Sequence, residues 1–188
     1  MKQELIENII SILGKMKDLK RSGWLKRDVS TPESDAEHSF SVSMLVLLLA
    51  PKHLNKERCL ELALVHDLAE VYSGDYTPVD DISKEDKVTK ELEGIKKIAI
   101  ELSKPKLVDF FVEYEEQLTP ESRFVYALDK LDNIVTASWY DDNNRSPQKL
   151  LPEFSNYANR CISAMPDDSL TEVKEILNYI RYERNNNE

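Results

Sequence analysis

Apolar residues recur at three- and four-residue steps in one segment after another of this 188-residue chain, and most of these segments are bracketed by helix start or stop signals. Leu5, Ile9, Ile12, Leu13, Met16 and Leu19 form the stripe of an amphipathic first helix ending near Gly23. Ser34-x-x-Glu37 is a capping box opening a second helix through Ala50. Its end, from Met44, is apolar on every side, which predicts a place in the core. Asn55 is an N-cap for a helix running to about Tyr72, with Gly74 as its stop. A loop over 75–82, containing Pro78, leads to a helix from Ser83-x-x-Asp86 to Leu102. Pro105 precedes a short helix ending at Leu118. Thr119-Pro120 starts a long one that breaks at Asp141 to Asn144. Ser146-Pro147 repeats the start signal, and Asp168 or Ser169 opens the final helix. Residues 185–188 are expected to fray.

Four glycines against eight prolines leave few of the tight turns that sheets and phosphate loops need, and no alternating strand pattern is visible. The expectation is all-α: one domain over 1–188, with its motif-bearing core at about 19–140 and C-terminal helices over 146–184 packed on it. The formal charge of −10 disfavours a nucleic acid polymer as partner, because such binding rests on phosphate neutralisation. The apolar run from Met44 to Pro51 is too short to span a bilayer, so no membrane partner is expected. Met1 to Ile10 lack the layout of a signal peptide, which makes the expected location cytoplasmic. Cys59 and Cys161 form no CxxC pair, and reduced, packed thiols are expected.

Against this helical background, His66 and Asp67 stand side by side within Ala63-Leu-Val-His-Asp-Leu-Ala-Glu70. An imidazole and a carboxylate in so apolar a stretch are costly to bury unless partnered, either by each other or by a divalent cation. Glu70 follows on the same helical side, and Asp75 just after Gly74. His38 lies early in the preceding helix. Asp129 is another carboxylate in an apolar stretch, where the alternatives are a ligand, an ion pair or a surface acid. Asp132 reads as a surface acid or a group supporting the ligands. Arg21 sits in a basic cluster at a helix end, and Trp24 is either a core aromatic or a rim residue.

The order His38, His66-Asp67, Asp129 resembles the H…HD…D signature of the HD-domain metal phosphohydrolases. Arg21-Ser-Gly-Trp24, Pro32-Glu-Ser-Asp-Ala-Glu-His38-Ser, Leu64 to Glu70 and Gly74-Asp75 resemble its 5′-deoxynucleotidase branch. The resemblance implies a single-domain HD-type helical bundle with its metal site between central helices. It implies His38, His66, Asp67 and Asp129 as ligands of a divalent metal ion, such as cobalt, manganese or another transition metal. Arg21 becomes the phosphate clamp, Glu70 and Asp75 the acid/base pair, and Trp24 a residue bordering the sugar. Two residues separate Arg21 from Trp24, whereas in one bacterial group of that branch the Trp follows the Arg directly.

The activity implied is hydrolysis of deoxyribonucleoside 5′-monophosphates by a homodimer. Two alternatives accompany it. One is an HD hydrolase of di-, triphosphorylated or cyclic nucleotides, which needs more cationic contacts than the cluster around Arg21 offers. The other is a non-catalytic metal- or nucleotide-binding module, which would have no use for Glu70 and Asp75.

Overall fold

In the computed structural model, residues 2–77, 79–163, 165 and 168–184 are described. Pro78 and the 185–188 tail, on which sequence expectations fell, lie outside them. The elements run α1 (Lys2–Asp18), α2 (Ser22–Leu25), α3 (Asp35–Leu49), α4 (Lys56–Val65), α5 (Glu70–Ser73) and α6 (Lys84–Glu101). There follow α7 (Lys106–Glu115), α8 (Pro120–Asp142), α9 (Leu151–Ile162), a 3₁₀ turn (Asp168–Leu170), α10 (Thr171–Tyr179) and a π turn (Ile180–Arg184). Among the described residues there is no strand, only one isolated bridge between Lys20 and Ser34.

The start signals act through real hydrogen bonds. Ser34 Oγ accepts from Glu37 N–H at 3.3 Å while Glu37 Oε2 accepts from Ser34 N–H at 2.7 Å. Asn55 Oδ1 caps α4 through Arg58 N–H, and Thr119 Oγ1 caps α8 through Ser122 N–H. These contacts satisfy amide donors that a helix start leaves unpaired.

The fold is a single helical domain built around α8. Val42 and Val46 of α3, Leu62 of α4 and Leu128 and Leu131 of α8 share one buried cluster with Ile162 of α9 and Leu177 of α10. A second cluster seats Trp24 against Ala137, Tyr140 and Leu150. A third joins Val65 and Ala69 to Ile95 of α6 and Phe111 of α7. Here α6 comes so close that a Cβ on Gly94 would lie 2.7 Å from the Ala69 carbonyl oxygen.

Several expectations are corrected. The first helix stops at Asp18, because the Lys20–Ser34 bridge draws the chain out of its helical path before α2 begins. The helix expected to run to Tyr72 stops at Val65. Leu68 and Glu70 then donate to the carbonyls of Val65 and Asp67, a tightened three-residue pattern that leads into α5. The α7 helix stops at Glu115, short of Leu118. The helix signalled at Ser146-Pro147 begins only at Leu151, because its cap comes from elsewhere: the Asp141 carboxylate accepts from the N–H groups of Leu150 and Leu151, both at 2.9 Å. On α3, Val42 and Val46 are buried, but Phe40, Leu47 and Leu48 remain exposed, so the apolar end of this helix is only half within the core. Ile9 and Leu13 of α1 are exposed as well.

Candidate metal centre and its surroundings

Three helices and one turn carry the chemistry to a single point. His38 closes the first turn of α3, just after the capping box, its N–H donating to the Ser34 carbonyl. His66 is the C-cap of α4, and Asp67 opens the tightened turn after it. Asp129 projects from the middle of α8. His38 Nε2 lies 3.3 Å from Asp129 Oδ1 and 3.7 Å from Asp67 Oδ2, and His66 Nε2 lies 3.3 Å from Asp67 Oδ2.

The tautomers follow from the partners of the other ring nitrogens. His38 Nδ1 is 2.8 Å from Asp132 Oδ2 and His66 Nδ1 is 2.8 Å from the Ala63 carbonyl. A carboxylate and a carbonyl can only accept, so both Nδ1 atoms donate. That turns both Nε2 atoms inward. Each is buried, and neither has a hydrogen-bond partner among the described residues. Two orphaned imidazole nitrogens facing two carboxylates form a donor set that fits a divalent transition metal.

The charges lean the same way. Burial opposes ionisation of Asp67, but His66 and Arg21 more than compensate and hold it below the usual carboxylate range. Asp129 is likewise held low against its burial, chiefly by Lys130 and His38. Burial and Arg21 work against positive charge at His38, yet Asp129 and Asp132 more than offset them and draw such charge, a proton or a cation, toward the ring. The ring is held in a field that attracts positive charge.

Arg21 stands at the edge of this centre. Its Nη1 donates to Asp67 Oδ2 at 2.5 Å and lies 4.0 Å from Asp35. The bridge next to it fixes its backbone, with Arg21 N–H donating to the Glu33 carbonyl at 3.0 Å. Burial disfavours its charge, but Asp67 and Asp75 keep it firmly protonated. Gly74, at φ +83°, turns the chain so that Asp75 Oδ2 accepts from Ser22 N–H at 2.5 Å. Glu70 is buried, its Oε2 lacks a described partner, and burial with Asp67 and Asp75 pushes its pKa well up.

Thus the fold brings His38, His66, Asp67, Asp129, Arg21, Glu70 and Asp75 together. Trp24 is placed differently. It is 1% exposed within the second core cluster, and its indole N–H donates to Glu33 Oε1 at 2.8 Å. Its link to the site runs through Glu33, whose carbonyl holds Arg21.

Sequence reasoning missed Asp35, Tyr114 and Lys130, and left Asp132 between two roles. Asp132 is buried against His38, so its surface alternative is overturned. Its spacing one turn from Asp129 was the available signal. Asp35 is fully buried with neither oxygen hydrogen-bonded among the described residues, close to Asp67 and Glu70. In sequence it passes for an ordinary first-turn acid favoured by the helix dipole. Burial with Asp67 beside it raises its pKa to about 7. Tyr114 had no signal at all.

A helical domain in which His38, His66 and Asp129 meet at one buried point, with Asp67 against both imidazoles, has the donor set of a His/Asp metal site. The chain belongs to the HD domain family, whose model matches residues 13–169. It is 33% identical over 181 residues to 5′-deoxynucleotidase HDDC2 of Bos taurus, covering 95% of this chain and 85% of that one. Against the Homo sapiens protein of the same name it is 36% identical over 154 residues, with 80% and 76% covered. The crystal structure of the PH0347 protein of Pyrococcus horikoshii OT3 superposes with a TM-score of 0.76 at 31% identity, covering 94% of this chain and 98% of that one.

Proposed function

We propose that this protein is a metal-dependent phosphomonoesterase that hydrolyses nucleoside 5′-monophosphates to nucleoside and phosphate, with a preference for deoxy forms. One observation carries the proposal: two buried imidazole nitrogens without partners face Asp67 and Asp129, with the Arg21 guanidinium against Asp67. The deoxy preference rests on the likeness to curated 5′-deoxynucleotidases.

His38, His66, Asp67 and Asp129 would hold the ion, with cobalt or manganese suited to the mixed nitrogen and oxygen donors. When bound, it lowers the pKa of water and polarises a phosphoryl oxygen. Arg21 takes the phosphate, to which its planar fork is matched. Glu70, buried with an oxygen to spare, accepts from the attacking water and orients it. The P–O5′ bond breaks as the water oxygen bonds to phosphorus, and the proton the water gives up is balanced by the one the leaving oxygen takes, a relay assigned to Asp75. Trp24 acts behind Arg21, through Glu33.

Among the described residues no helix is long and apolar enough to cross a membrane. We place the protein in the cytoplasm as a homodimer, with the exposed apolar residues of α1 and α3 supporting the second statement. A single catalytic domain over 1–188 completes the proposal.

Phosphate release should be measured across deoxy- and ribonucleoside mono-, di- and triphosphates, with metal-stripped protein resupplied with single divalent ions. The proposal expects release from deoxy monophosphates, restored by metal and lost in Asp67→Ala. Loss of turnover in Glu70→Gln or Asp75→Asn, with metal content unchanged, would assign those residues to catalysis. Release confined to polyphosphorylated nucleotides would transfer the site to a different HD hydrolase. Silence with metal bound would make it a binding module.

A further inference from the structure

Asp129 shows its two carboxylate oxygens to different neighbours. Oδ1 lies 3.3 Å from His38 Nε2, on the side of the orphaned histidine nitrogens. Oδ2 accepts from the Tyr114 hydroxyl at 2.8 Å and from Lys130 Nζ at 2.7 Å. Asn133 Nδ2 reaches Oδ1 at a longer 3.2 Å while donating to the Asp129 carbonyl at 2.9 Å. The stronger pair of donors, one of them charged, is on the far oxygen.

Neither donor is there by default. Tyr114 comes from α7, which supplies none of the four ligand candidates, and its ring centre is 5.2 Å from that of His66. A buried tyrosine hydroxyl needs a partner, and this one donates to the Asp129 carboxylate. Lys130 is itself largely buried, with its ammonium 4.8 Å from the Tyr126 ring centre. An ammonium at such depth requires a counter-charge, and Asp129 supplies it.

We infer that Tyr114 and Lys130 are positioning residues that occupy Oδ2 of Asp129 and so present Oδ1 alone to the metal. The inference rests on the proposed metal site. A carboxylate held in this way is restrained from rotating to offer both oxygens, so Asp129 would contribute Oδ1 alone to the donor set. Hydrogen bonds behind a ligand commonly set metal affinity by about 10- to 100-fold. Tyr114 matters most for affinity, since removing its hydroxyl changes no charge. Removing the Lys130 ammonium has two opposed effects, because it frees Oδ2 but also removes a positive charge that repels the ion.

The test uses full-length protein, stripped of metal and titrated with Co²⁺, read by its visible absorption and by competition with a chelator. Tyr114→Phe keeps the ring and its packing, so thermal unfolding of the metal-free protein should stay near that of wild type. Its Co²⁺ affinity should fall about tenfold. Tyr114→Phe combined with Lys130→Met should change the shape and intensity of the absorption bands, as the freed Oδ2 enters the coordination sphere. Lys130→Arg, which restores a charged donor, should return the spectrum toward wild type. A purely structural role would lower unfolding temperature without moving the spectrum. Wild-type affinity and bands in both the single and the double variant would overturn the inference. Failure of wild type itself to bind Co²⁺ would overturn the metal reading beneath it, so the two failures are distinguishable.

Discussion

Nδ1 of His38 lies 2.8 Å from Oδ2 of Asp132, one helical turn beyond Asp129 on α8. One helix therefore supplies both a carboxylate that faces the proposed ion and a carboxylate that orients the histidine beside it. The arrangement fixes the His38 tautomer, because Asp132 can only accept.

Removal of that acceptor should loosen the ring. Asp132→Ala is expected to weaken divalent metal binding by about 10- to 100-fold, the usual effect of losing a histidine's supporting carboxylate. Titration calorimetry of metal-stripped protein measures it. An unchanged Kd would mean that packing alone orients His38.

Metal should stabilise the fold, since the donor set exists only when α3, α4 and α8 are assembled. At an ion concentration about 100 times Kd, linkage adds about 2.7 kcal/mol. For a domain of this size that raises Tm by roughly 5–10 °C. Scanning calorimetry with and without chelator provides the comparison, and His66→Ala should abolish most of the difference.

As the proposed phosphate clamp Arg21 would use its planar fork as well as its charge, so Arg21→Lys should not be conservative. Loss of one charge-assisted hydrogen bond costs roughly 1.5–3 kcal/mol, or about 10- to 100-fold in kcat/KM. The loss should appear mainly as a raised KM if Arg21 binds substrate and transition state alike. Steady-state kinetics on a deoxynucleoside monophosphate separates this from a fall in kcat, which would mean contact made chiefly in the transition state.

Gly94 links packing to chemistry. An added Cβ would sit 2.7 Å from the Ala69 carbonyl oxygen, inside the turn between Asp67 and Glu70. That neighbour is backbone and cannot swing aside. Gly94→Ala gains about 1 kcal/mol in helix propensity but should lose roughly 1–3 kcal/mol to overpacking. Both Tm and turnover should fall, because the displaced turn carries Asp67. A variant as active and stable as wild type would show that α6 yields instead.

The helical architecture was legible because its signals are local: the Ser34 and Thr119 boxes act within three residues of themselves. The true start of α9 was not, because Asp141 caps it from ten residues before Leu151. The tight turn after Val65 was hidden for a related reason, since an apolar run with helical spacing looks the same whether its bonds span three or four residues. At the site, four ordered His and Asp residues could be read from their motif. Tyr114 could not, since its meeting with Asp129 depends on how α7 packs on α8. Asp35 was invisible because a first-turn acid needs no further explanation until its burial is known.

Glu91, itself outside the proposed ligand set though within reach of the Asp67 charge, supplies a test of stability against pH. Burial pushes its pKa up to about 7, with Lys87, 3.3 Å away, pulling it partly back and Glu115 adding to the rise. The folded state therefore favours the neutral acid. Its stabilising contribution is fully present below the ordinary carboxyl pKa and is lost as pH rises through about 7. Glu91→Gln remains neutral throughout, so it should fare better relative to wild type at about pH 8 than at about pH 5. The expected difference is roughly 1–3 kcal/mol, reduced by whatever the Lys87 pair returns to the ionised wild type. Urea unfolding of both proteins at the two pH values measures it. Parallel pH profiles would mean that Lys87 holds Glu91 ionised across the range, and that burial does not govern its charge.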